Sequence, residues 1–431
     1  MTTLKAVRGT RDLLPPETAL WNRIETTSRA VFARYNFGEI RTPIFEDTGL
    51  FARSVGEETD IVSKEMYTWE DRARAQSEKT QSLTLRPENT AGVVRSYIEH
   101  QLGETGQLQK LFYIGPQFRR ERPQKGRYRQ FSQIGAEVIG PPSAGSESPL
   151  RDAEVLEMLA TLLNELGITG WKLELNSVGS AADRARYNEV LRTALDAVVS
   201  SMCVDCQRRA ATNPIRVLDC KVPADQPIID TLPVIADSLN EASRAHFAQV
   251  LAALDAAAVP YTRNHRLVRG LDYYTRTTFE FTHGGLGAQN ALLGGGRYDG
   301  LSEMLGGPRA PGIGFAMGED RLVLTLLAQE AAAPQVLADA YIAPLGESLN
   351  AAALSLAREL RSQGLRIELG DGSFRLKKSF EVADKTARRM IILGEDELQS
   401  GILTVKTFAT GIQTKVPRTE LAVFLTKPAS E

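Results

Sequence analysis

The stretch Phe118-Arg-Arg-Glu-Arg-Pro-Gln-Lys-Gly-Arg-Tyr-Arg-Gln-Phe131 decides how the first part of this chain folds. It carries six basic residues and one acid, in a chain whose net charge is −2. It lies between two β-type segments, residues 109–114 and 131–139, and Pro123 and Gly126 stand near its middle. The pattern predicts a β-hairpin with a basic tip.

A run of basic residues is often only a solvated loop, and that interpretation is the alternative here. Arg119 and Arg129, however, fall inside the apparent strands rather than at the tip. The planar guanidinium group binds phosphate through two parallel hydrogen bonds. We therefore favour an anion-binding hairpin.

Further β-type segments follow one another through the front of the chain, which predicts an antiparallel sheet. They are residues 83–85, 171–175, 277–281 and 312–317. Helices are predicted over 17–35 and from Ser148-Pro149 to Gly167, where Ser is a favourable cap and Pro a favourable first residue. Pro43 interrupts a strand over residues 39–45, as proline does at an edge or an interface.

The chain is predicted to be an α+β protein with two domains. A first domain over residues 1–327 contains a helical insertion at 180–260, where Ala and Asp dominate. A linker follows at 328–337. Residues 338–431 then alternate strand and helix as βαβαβ, which predicts a small α/β domain with a largely parallel sheet.

Composition excludes several classes of protein. The chain has 431 residues, of which 42% are hydrophobic and 24% charged, the profile of an ordinary globular protein. Its three cysteines are too few for a secreted disulfide scaffold and fit a reducing cytoplasm. Neither a signal-peptide pattern nor a run of about 18 apolar residues occurs, so we expect a cytoplasmic protein without membrane spans.

The cysteines are the only grouped metal-ligand residues. Cys203, Cys206 and Cys220 would supply three zinc ligands, one short of a structural site, and no His lies near them in sequence. The four His are not at metal-ligand spacing from one another. We therefore expect thiols within a helical insertion, and no metal.

Nucleotide phosphates, if they bind, need arginine. The chain has neither a G-x-x-x-x-G-K-[ST] loop nor a G-x-G-x-x-G after a strand. Residues 294–300 and 312–318 both read G-x-G-x-x-x-G, which is a weak nucleotide signal. Arg269 interrupts an apolar and aromatic run, where its burial is costly without an anion. Arg321 opens an apolar helix, and taken alone its context favours an ordinary strand–helix junction with acidic residues in the first turn.

Taken together, these segments resemble the class II aminoacyl-tRNA synthetases and, among them, the histidyl-tRNA synthetases. Residues 38–46 resemble motif 1, with Pro43 as its interface proline; residues 118–131 resemble motif 2; residues 312–321 resemble motif 3. Residues 267–274 and 294–300 resemble the histidine-specific stretches of that family. The similarity implies a class II antiparallel-sheet catalytic core, a helical insertion of the bacterial type and a C-terminal anticodon-binding domain.

The resemblance also implies roles for single residues. Glu88, Thr90 and Gln133, with Asn89 beside them, would hold the main-chain end of histidine, and Glu137, Tyr273 and Tyr274 its imidazole. Arg119 and Arg269 would act as catalytic groups on the α-phosphate and the carboxylate. Phe131 would stack on adenine, and Arg127 and Arg321 would hold the outer phosphates. Gln124 would face the acceptor end of the tRNA. Asn89 and Asp320 depart from the family, which more often has Gly and Glu there.

The expected function is ATP-dependent activation of L-histidine, with Mg²⁺, and its transfer to the 3′ end of tRNA(His) by a homodimer. Two alternatives remain open. One is the related non-catalytic, histidine-sensing regulatory subunit of ATP phosphoribosyltransferase, which lacks the C-terminal domain and several motif residues. The other is an RNA-binding protein that uses no nucleotide.

Overall fold

The computed structural model describes residues 3–56, 59, 61–71, 80–124, 126–271, 273–286, 290–329 and 337–428. The chain divides into two compact units, Met1–Ala333 and Pro334–Glu431. Most of the predicted linker lies outside the described residues. No helix within the described ranges is long and apolar enough to cross a membrane.

The strands of the first unit form two sheets. They are β1 (Gly38–Glu39), β2 (Phe45–Asp47), β3 (Tyr67–Asp71), β4 (Gln81–Leu85), β5 (Gln109–Phe118), β6 (Gln130–Ile139), β7 (Trp171–Ser177), β8 (Thr262–Arg263), β9 (Thr275–His283), β10 (Ala291–Arg297) and β11 (Gly312–Gly318). The large sheet has the order β1-β5-β6-β11-β10-β9-β7-β8, antiparallel except for its two short edge strands. The small sheet has the order β2-β4-β3. The predicted α+β class with an antiparallel sheet is confirmed.

Ten α-helices accompany these sheets in the described part of the first unit. They are α1 (Glu17–Arg34), α2 (Thr48–Val55), α3 (Thr90–Glu99), α4 (Pro149–Glu165), α5 (Ala181–Asp196), α6 (Val204–Thr212), α7 (Gln226–Ile229), α8 (Glu241–Ala256), α9 (Leu301–Met304) and α10 (Glu319–Ala328). The helices predicted at 17–35 and after Ser148 are both present, and Ser148 caps α4 by accepting from the N–H of Leu150.

One face of the large sheet is covered by apolar helix surfaces. Ile134, Ala136 and Val138 of β6 point into this core with buried residues of α1, α4, α8 and α10. Because successive side chains of a strand alternate in direction, Gln133 and Glu137 lie on the opposite face. The same alternation leaves that opposite face available for polar chemistry.

The predicted insertion is helical. Its own apolar core takes residues from Tyr187 to Ile235, together with Val178 and Val268. The last helix in that range, α8, instead joins the main core through Phe247 and Leu254. Helix α8 thus packs in the main hydrophobic core of the first unit, although its composition resembles that of the insertion.

The second unit has one mixed sheet. Its strands are β12 (Ala340–Pro344), β13 (Ile367–Leu369), β14 (Arg389–Leu393), β15 (Ile402–Thr407) and β16 (Gln413–Pro417), and its helices are α11 (Asn350–Ser362), α12 (Leu376–Thr386), α13 (Glu395–Ser400) and α14 (Leu421–Thr426). The order is β13-β12-β14-β15-β16. The first three strands are parallel, as the βαβαβ pattern predicts. The pattern does not include β15 and β16, which extend the sheet in the antiparallel direction.

A fully buried ion pair joins α4 to the large sheet. The guanidinium of Arg297, at the end of β10, donates to both carboxylate oxygens of Asp152 on α4. Thr277 of β9 donates to the same carboxylate at 2.6 Å, and Asp299 accepts from Arg297 at 3.0 Å. Both partners of the Arg297–Asp152 pair have 0% exposed side chains. The pair therefore fixes the helix against two neighbouring strands.

Removing one member of this pair should destabilise the fold. We expect Arg297→Met to lower the free energy of unfolding by about 3–5 kcal/mol, because it leaves a buried carboxylate without its counter-charge. Chemical denaturation measures this change. The control is Arg309→Met, which breaks the Arg309–Glu147 pair, whose arginine side chain is 64% exposed, and should cost less than about 1 kcal/mol. Equal effects of the two substitutions would contradict a structural role for the buried pair.

Candidate active site

Four arginines from three separate parts of the chain line one cleft on the polar side of the large sheet. Arg119, Arg127, Arg269 and Arg321 form this arginine cleft, with Phe131 and Gln133 also in its wall. They come from the hairpin between β5 and β6, from the loop before β9 and from the first turn of α10. All four residues predicted to meet phosphates are thus brought together.

Each arginine is held by at least one contact within the protein. Arg127 pairs with Glu121 at 3.0 Å and Arg269 pairs with Glu280 at 2.7 Å. Arg119 donates to the carbonyl of Pro87 at 2.8 Å.

Arg321 donates to the carbonyl of Ala291 at 2.7 Å. Burial lowers the pKa of Arg321, and the neighbouring charge of Arg127 lowers it further. A cleft lined by four arginines can bind a polyanion such as a chain of phosphates.

The hairpin has the predicted shape but not the predicted ends. β5 ends at Phe118 and β6 begins at Gln130, so Arg119 and Arg129 lie just beyond the strands and not within them. A hydrogen bond from the N–H of Arg119 to the carbonyl of Arg129 still extends the pairing by one step. The guanidinium of Arg119 lies 5.3 Å from the ring centre of Phe131. The aromatic ring and the arginine thus form one wall of the cleft.

Gln124 is exposed at the tip of this hairpin. Its backbone N–H and carbonyl bond to Arg127 at 3.1 and 2.9 Å. Gly126 has a φ of +76°, which closes the turn at little conformational cost because glycine has no Cβ. Gln124 therefore faces solvent beyond the cleft, and its neighbour Lys125 lies outside the described residues.

A second, buried compartment adjoins the cleft, and we call it the acid pocket: Glu88, Thr90, Glu137 and Tyr298. The carboxylate of Glu88 accepts from the N–H groups of Thr90 and Ala91, at the start of α3, at 2.7 and 3.0 Å. The hydroxyls of Thr90 and Tyr298 both donate to Glu137 at 2.7 Å. Burial raises the pKa of Glu88, and it raises the pKa of Glu137 to about 8.

Tyr273 and Tyr274 also lie here, but neither is a hydrogen-bond partner of Glu137 among the described contacts. Their rings are 4.7 Å apart, and the ring of Tyr273 meets that of Tyr298 edge-on at 6.0 Å. Tyr298, which sequence reasoning missed, makes the direct contact. It lies inside the quoted stretch 294–300, where only the glycines drew attention.

The glycines of the two G-x-G-x-x-x-G stretches are the floor of the site. All except Gly300, which directly precedes α9, belong to β10 and β11 rather than to a phosphate loop. A Cβ on Gly294 would lie 2.5 Å from the guanidinium of Arg269, and a Cβ on Gly296 would lie 2.8 Å from the ring of Tyr274. A Cβ on Gly314 would overlap the carboxylate of Glu137. The missing side chains let these three functional groups lie directly on the sheet.

Several buried polar atoms around the site have no hydrogen-bond partner in the described part of the chain. They are Nδ2 of Asn89, Oε1 of Gln133 and Nε of Arg269. Buried polar atoms are nearly always paired in folded proteins. A polar ligand lying between the acid pocket and the arginine cleft would satisfy them.

Two carboxylates of the cleft were also missed. Glu121 is the single acid of the quoted basic stretch, and its position in the sequence does not by itself indicate a role. Glu280 gave no signal, because a polar residue alternating with apolar ones on β9 is typical of any half-exposed strand. Its pairing with Arg269 depends on the loop before β9 folding back over β10.

Comparison with known proteins identifies relatives over almost the whole chain. The family model "Histidyl-tRNA synthetase" matches residues 9–322, and the model "Anticodon binding domain" matches residues 339–427. The histidine–tRNA ligase of Koribacter versatilis is 71% identical over 98% of this chain and 96% of its own length. That of Solibacter usitatus is 56% identical over 98% and 99%. The apo crystal structure of the S. aureus histidyl-tRNA synthetase superimposes with a TM-score of 0.80 at 39% identity, covering 99% of this chain and 100% of that one.

A methyl group on the floor of the cleft should displace Arg269 without unfolding the protein. We expect Gly294→Ala to reduce histidine-dependent exchange of pyrophosphate into ATP by about 100-fold, the scale expected when a shift of about 1 Å disturbs the geometry of a reaction site. The control is Gly300→Ala in the same stretch, where an added Cβ meets nothing within 4 Å. Thermal unfolding should be nearly unchanged in both variants. Normal exchange by Gly294→Ala would show that Arg269 need not lie on the sheet.

Proposed function

This chain belongs to the histidyl-tRNA synthetase family and charges tRNA with histidine, and we propose that the arginine cleft and the acid pocket carry the first step. In that step histidine and ATP form histidyl-adenylate and pyrophosphate. The observation that carries this proposal is a buried carboxylate pocket next to a cleft lined by four arginines. Gln133 and Glu137 lie on one face of β6, roughly 13 Å apart, and so connect the two compartments.

Histidine would lie with its imidazole in the acid pocket. A ring with two nitrogens needs an acceptor and a second polar partner, which Glu137 and the tyrosines Tyr273 and Tyr274 can supply. Glu88 and Thr90 would hold the ammonium group, and the unpaired atoms of Asn89 and Gln133 would meet the main-chain end. A neutral Glu137, consistent with its raised pKa, could also donate a hydrogen bond to an unprotonated ring nitrogen.

ATP would lie in the arginine cleft. Phe131 would stack on adenine, Arg127 and Arg321 would hold the outer phosphates, and Arg119 and Arg269 would face the α-phosphate. A histidine carboxylate oxygen then forms a bond to the α-phosphorus as the bond to pyrophosphate breaks, and no proton need move. The protein's contribution is to bring two anions together and to stabilise the charge of the transition state.

Mg²⁺ fits the donor set of the cleft. Glu121 and Glu280 both line it, and Mg²⁺ typically uses one or two carboxylates together with substrate phosphates. These two residues would hold the ion, which would neutralise phosphate charge. Their pairing with Arg127 and Arg269 keeps the carboxylates in place before ATP enters.

The transfer step needs tRNA at two places. The exposed tip at Gln124 would meet the acceptor end, and the second unit would bind the anticodon region. On α12, Lys377, Lys378 and Lys385 are exposed and can face an RNA backbone.

Arg389, although it lies close by in sequence, is only 3% exposed. It donates to the carbonyls of Leu425 and Lys427, so its role is structural. We place the enzyme in the cytoplasm, where its free thiols would stay reduced.

The substrate-choosing role of Glu137 can be tested directly. We expect Glu137→Ala to raise the KM for histidine at least about tenfold, because a lost buried partner costs about 1–3 kcal/mol and each decade of affinity is about 1.4 kcal/mol. The KM for ATP should change little. Glu104→Ala, an exposed glutamate, is the control. Steady-state pyrophosphate exchange gives both constants, and a Glu137→Ala enzyme with a normal KM for histidine but an altered KM for ATP would place Glu137 outside the histidine pocket.

We also propose a homodimer formed around Pro43. Ile44, Phe45 and Trp69 are 45%, 53% and 40% exposed, and the last two rings lie 6.0 Å apart. Clustered exposed apolar side chains of this kind mark interaction surfaces.

Sedimentation should give twice the chain mass at low micromolar concentration, and Phe45→Asp should shift the protein towards monomer. The control is Ile412→Asp, which changes a 59% exposed residue of the second unit and should leave the mass unchanged. A fully active wild-type monomer would rule the dimer out.

A further inference from the structure

The insertion contains a cluster of metal-ligand side chains that the synthetase reaction does not use. The thiols of Cys203, Cys206 and Cys220 and the carboxylate of Asp225 all lie within 4.8 Å of one another. Cys206, Cys220 and Asp225 are buried, and Cys203 is partly so. Asp225 thus supplies the fourth candidate ligand that the sequence pattern lacks.

Local structure explains how four separated residues meet. Cys203 immediately precedes α6, and Cys206 lies in the first turn of that helix, which places their side chains close together. A 3₁₀ turn, Pro214–Asp219, leads into Cys220, and a second one, Pro223–Asp225, ends at the carboxylate. Asp225 had no sequence signal, because a carboxylate five residues after a cysteine matches no common zinc spacing.

Two of the distances between the ligand atoms are close to those around a tetrahedral ion. The sulfurs of Cys203 and Cys220 are 3.9 Å apart, and Cys220 Sγ is 3.3 Å from Oδ2 of Asp225. Ligand atoms bound to one zinc at about 2.3 Å (S) and 2.0 Å (O) lie roughly 3.5–3.8 Å from each other in a tetrahedron.

Backbone N–H groups orient the ligands. Val222 donates to the sulfur of Cys220 at 3.4 Å, and Cys203 donates to both oxygens of Asp225 at 3.2 Å. Hydrogen bonds of this kind to ligand atoms are the usual outer support of metal sites.

We propose that Cys203, Cys206, Cys220 and Asp225 bind a structural Zn²⁺ ion. Three thiolates favour zinc over magnesium or calcium, and four protein ligands leave no open position for catalysis. The ion would stabilise a part of the chain made of short turns around a small core, where a metal compensates for limited hydrophobic burial.

The position of the cluster connects it to the active site. Val268 belongs to the same small core as Cys206 and Cys220, and it directly precedes Arg269. Arg216, between the second and third cysteines, donates to the carbonyl of Arg269 at 3.4 Å. Zinc would thus support the loop that carries Arg269, without touching the substrates.

Metal analysis of the full-length, untagged protein tests the proposal. We expect about one zinc per chain after purification from zinc-supplemented cells. Asp225→Asn and Cys206→Ser should each lose at least about nine-tenths of it under mild chelation, whereas Asp205→Asn should retain it. Asp205 is a matched control, since it lies between the two cysteines on α6 with a 69% exposed side chain.

A second measurement does not depend on the variants folding. Replacement of zinc by Co²⁺ in the wild-type protein should give thiolate-to-cobalt charge-transfer absorption with the strong visible bands of tetrahedral cobalt. Less than about a tenth of an equivalent of zinc in the wild type, cobalt spectra without thiolate bands, or a Cys203–Cys220 disulfide found by mass spectrometry would each overturn the site. Metal content and pyrophosphate exchange are read separately, so either result stands without the other.

Discussion

The buried pair between Arg297 and Asp152 is the constraint on which the catalytic unit depends. Two ionised side chains with 0% exposure are stable only when their hydrogen bonds are satisfied, and here Thr277 and Asp299 complete the set. The pair holds α4 against the ends of β9 and β10, and β10 provides the glycine floor of the site. The position of the floor, and hence of Arg269 and Tyr274 on it, follows from this packing.

The site separates two kinds of charge on one sheet face. Fully buried carboxyl groups lie in the acid pocket, whereas the arginine cleft holds arginines that are partly paired with Glu121 and Glu280, and burying the carboxyl groups lowers the stability of the fold. Burial raises the pKa of Glu137 to about 8, whereas an unfolded glutamate ionises near about 4.3. The folded state therefore holds a proton that the unfolded state has lost, and Glu137 makes the free energy of unfolding fall as the pH rises from about 4.3 to 8. Ligands that pair with the carboxyls would offset that loss.

The insertion that carries the proposed zinc site also supports the loop that holds Arg269 at the arginine cleft. Its core includes Val268, and Arg216 bonds to the backbone of Arg269. The insertion thus touches the loop that closes one side of the cleft. The insertion stabilises that loop through packing and a hydrogen bond to its backbone. The side chains that line the cleft are therefore not needed to hold the loop and can contact the substrates.

Local patterns in the sequence are sufficient to predict the main helices and strands, the basic hairpin and several residues that the fold brings together at the site. Helical spacing predicts α1 and α4, alternation predicts that Glu137 and Gln133 share one face of β6, and arginine in apolar surroundings singles out Arg269. Which atoms contact one another depends on the three-dimensional fold. Tyr298 rather than Tyr274 bonds Glu137, Arg297 lies in the core while Arg269 lies in the cleft, and Asp225 joins three cysteines. Local patterns reflect forces within a few residues, whereas these contacts depend on strand register and loop closure between residues up to 161 positions apart.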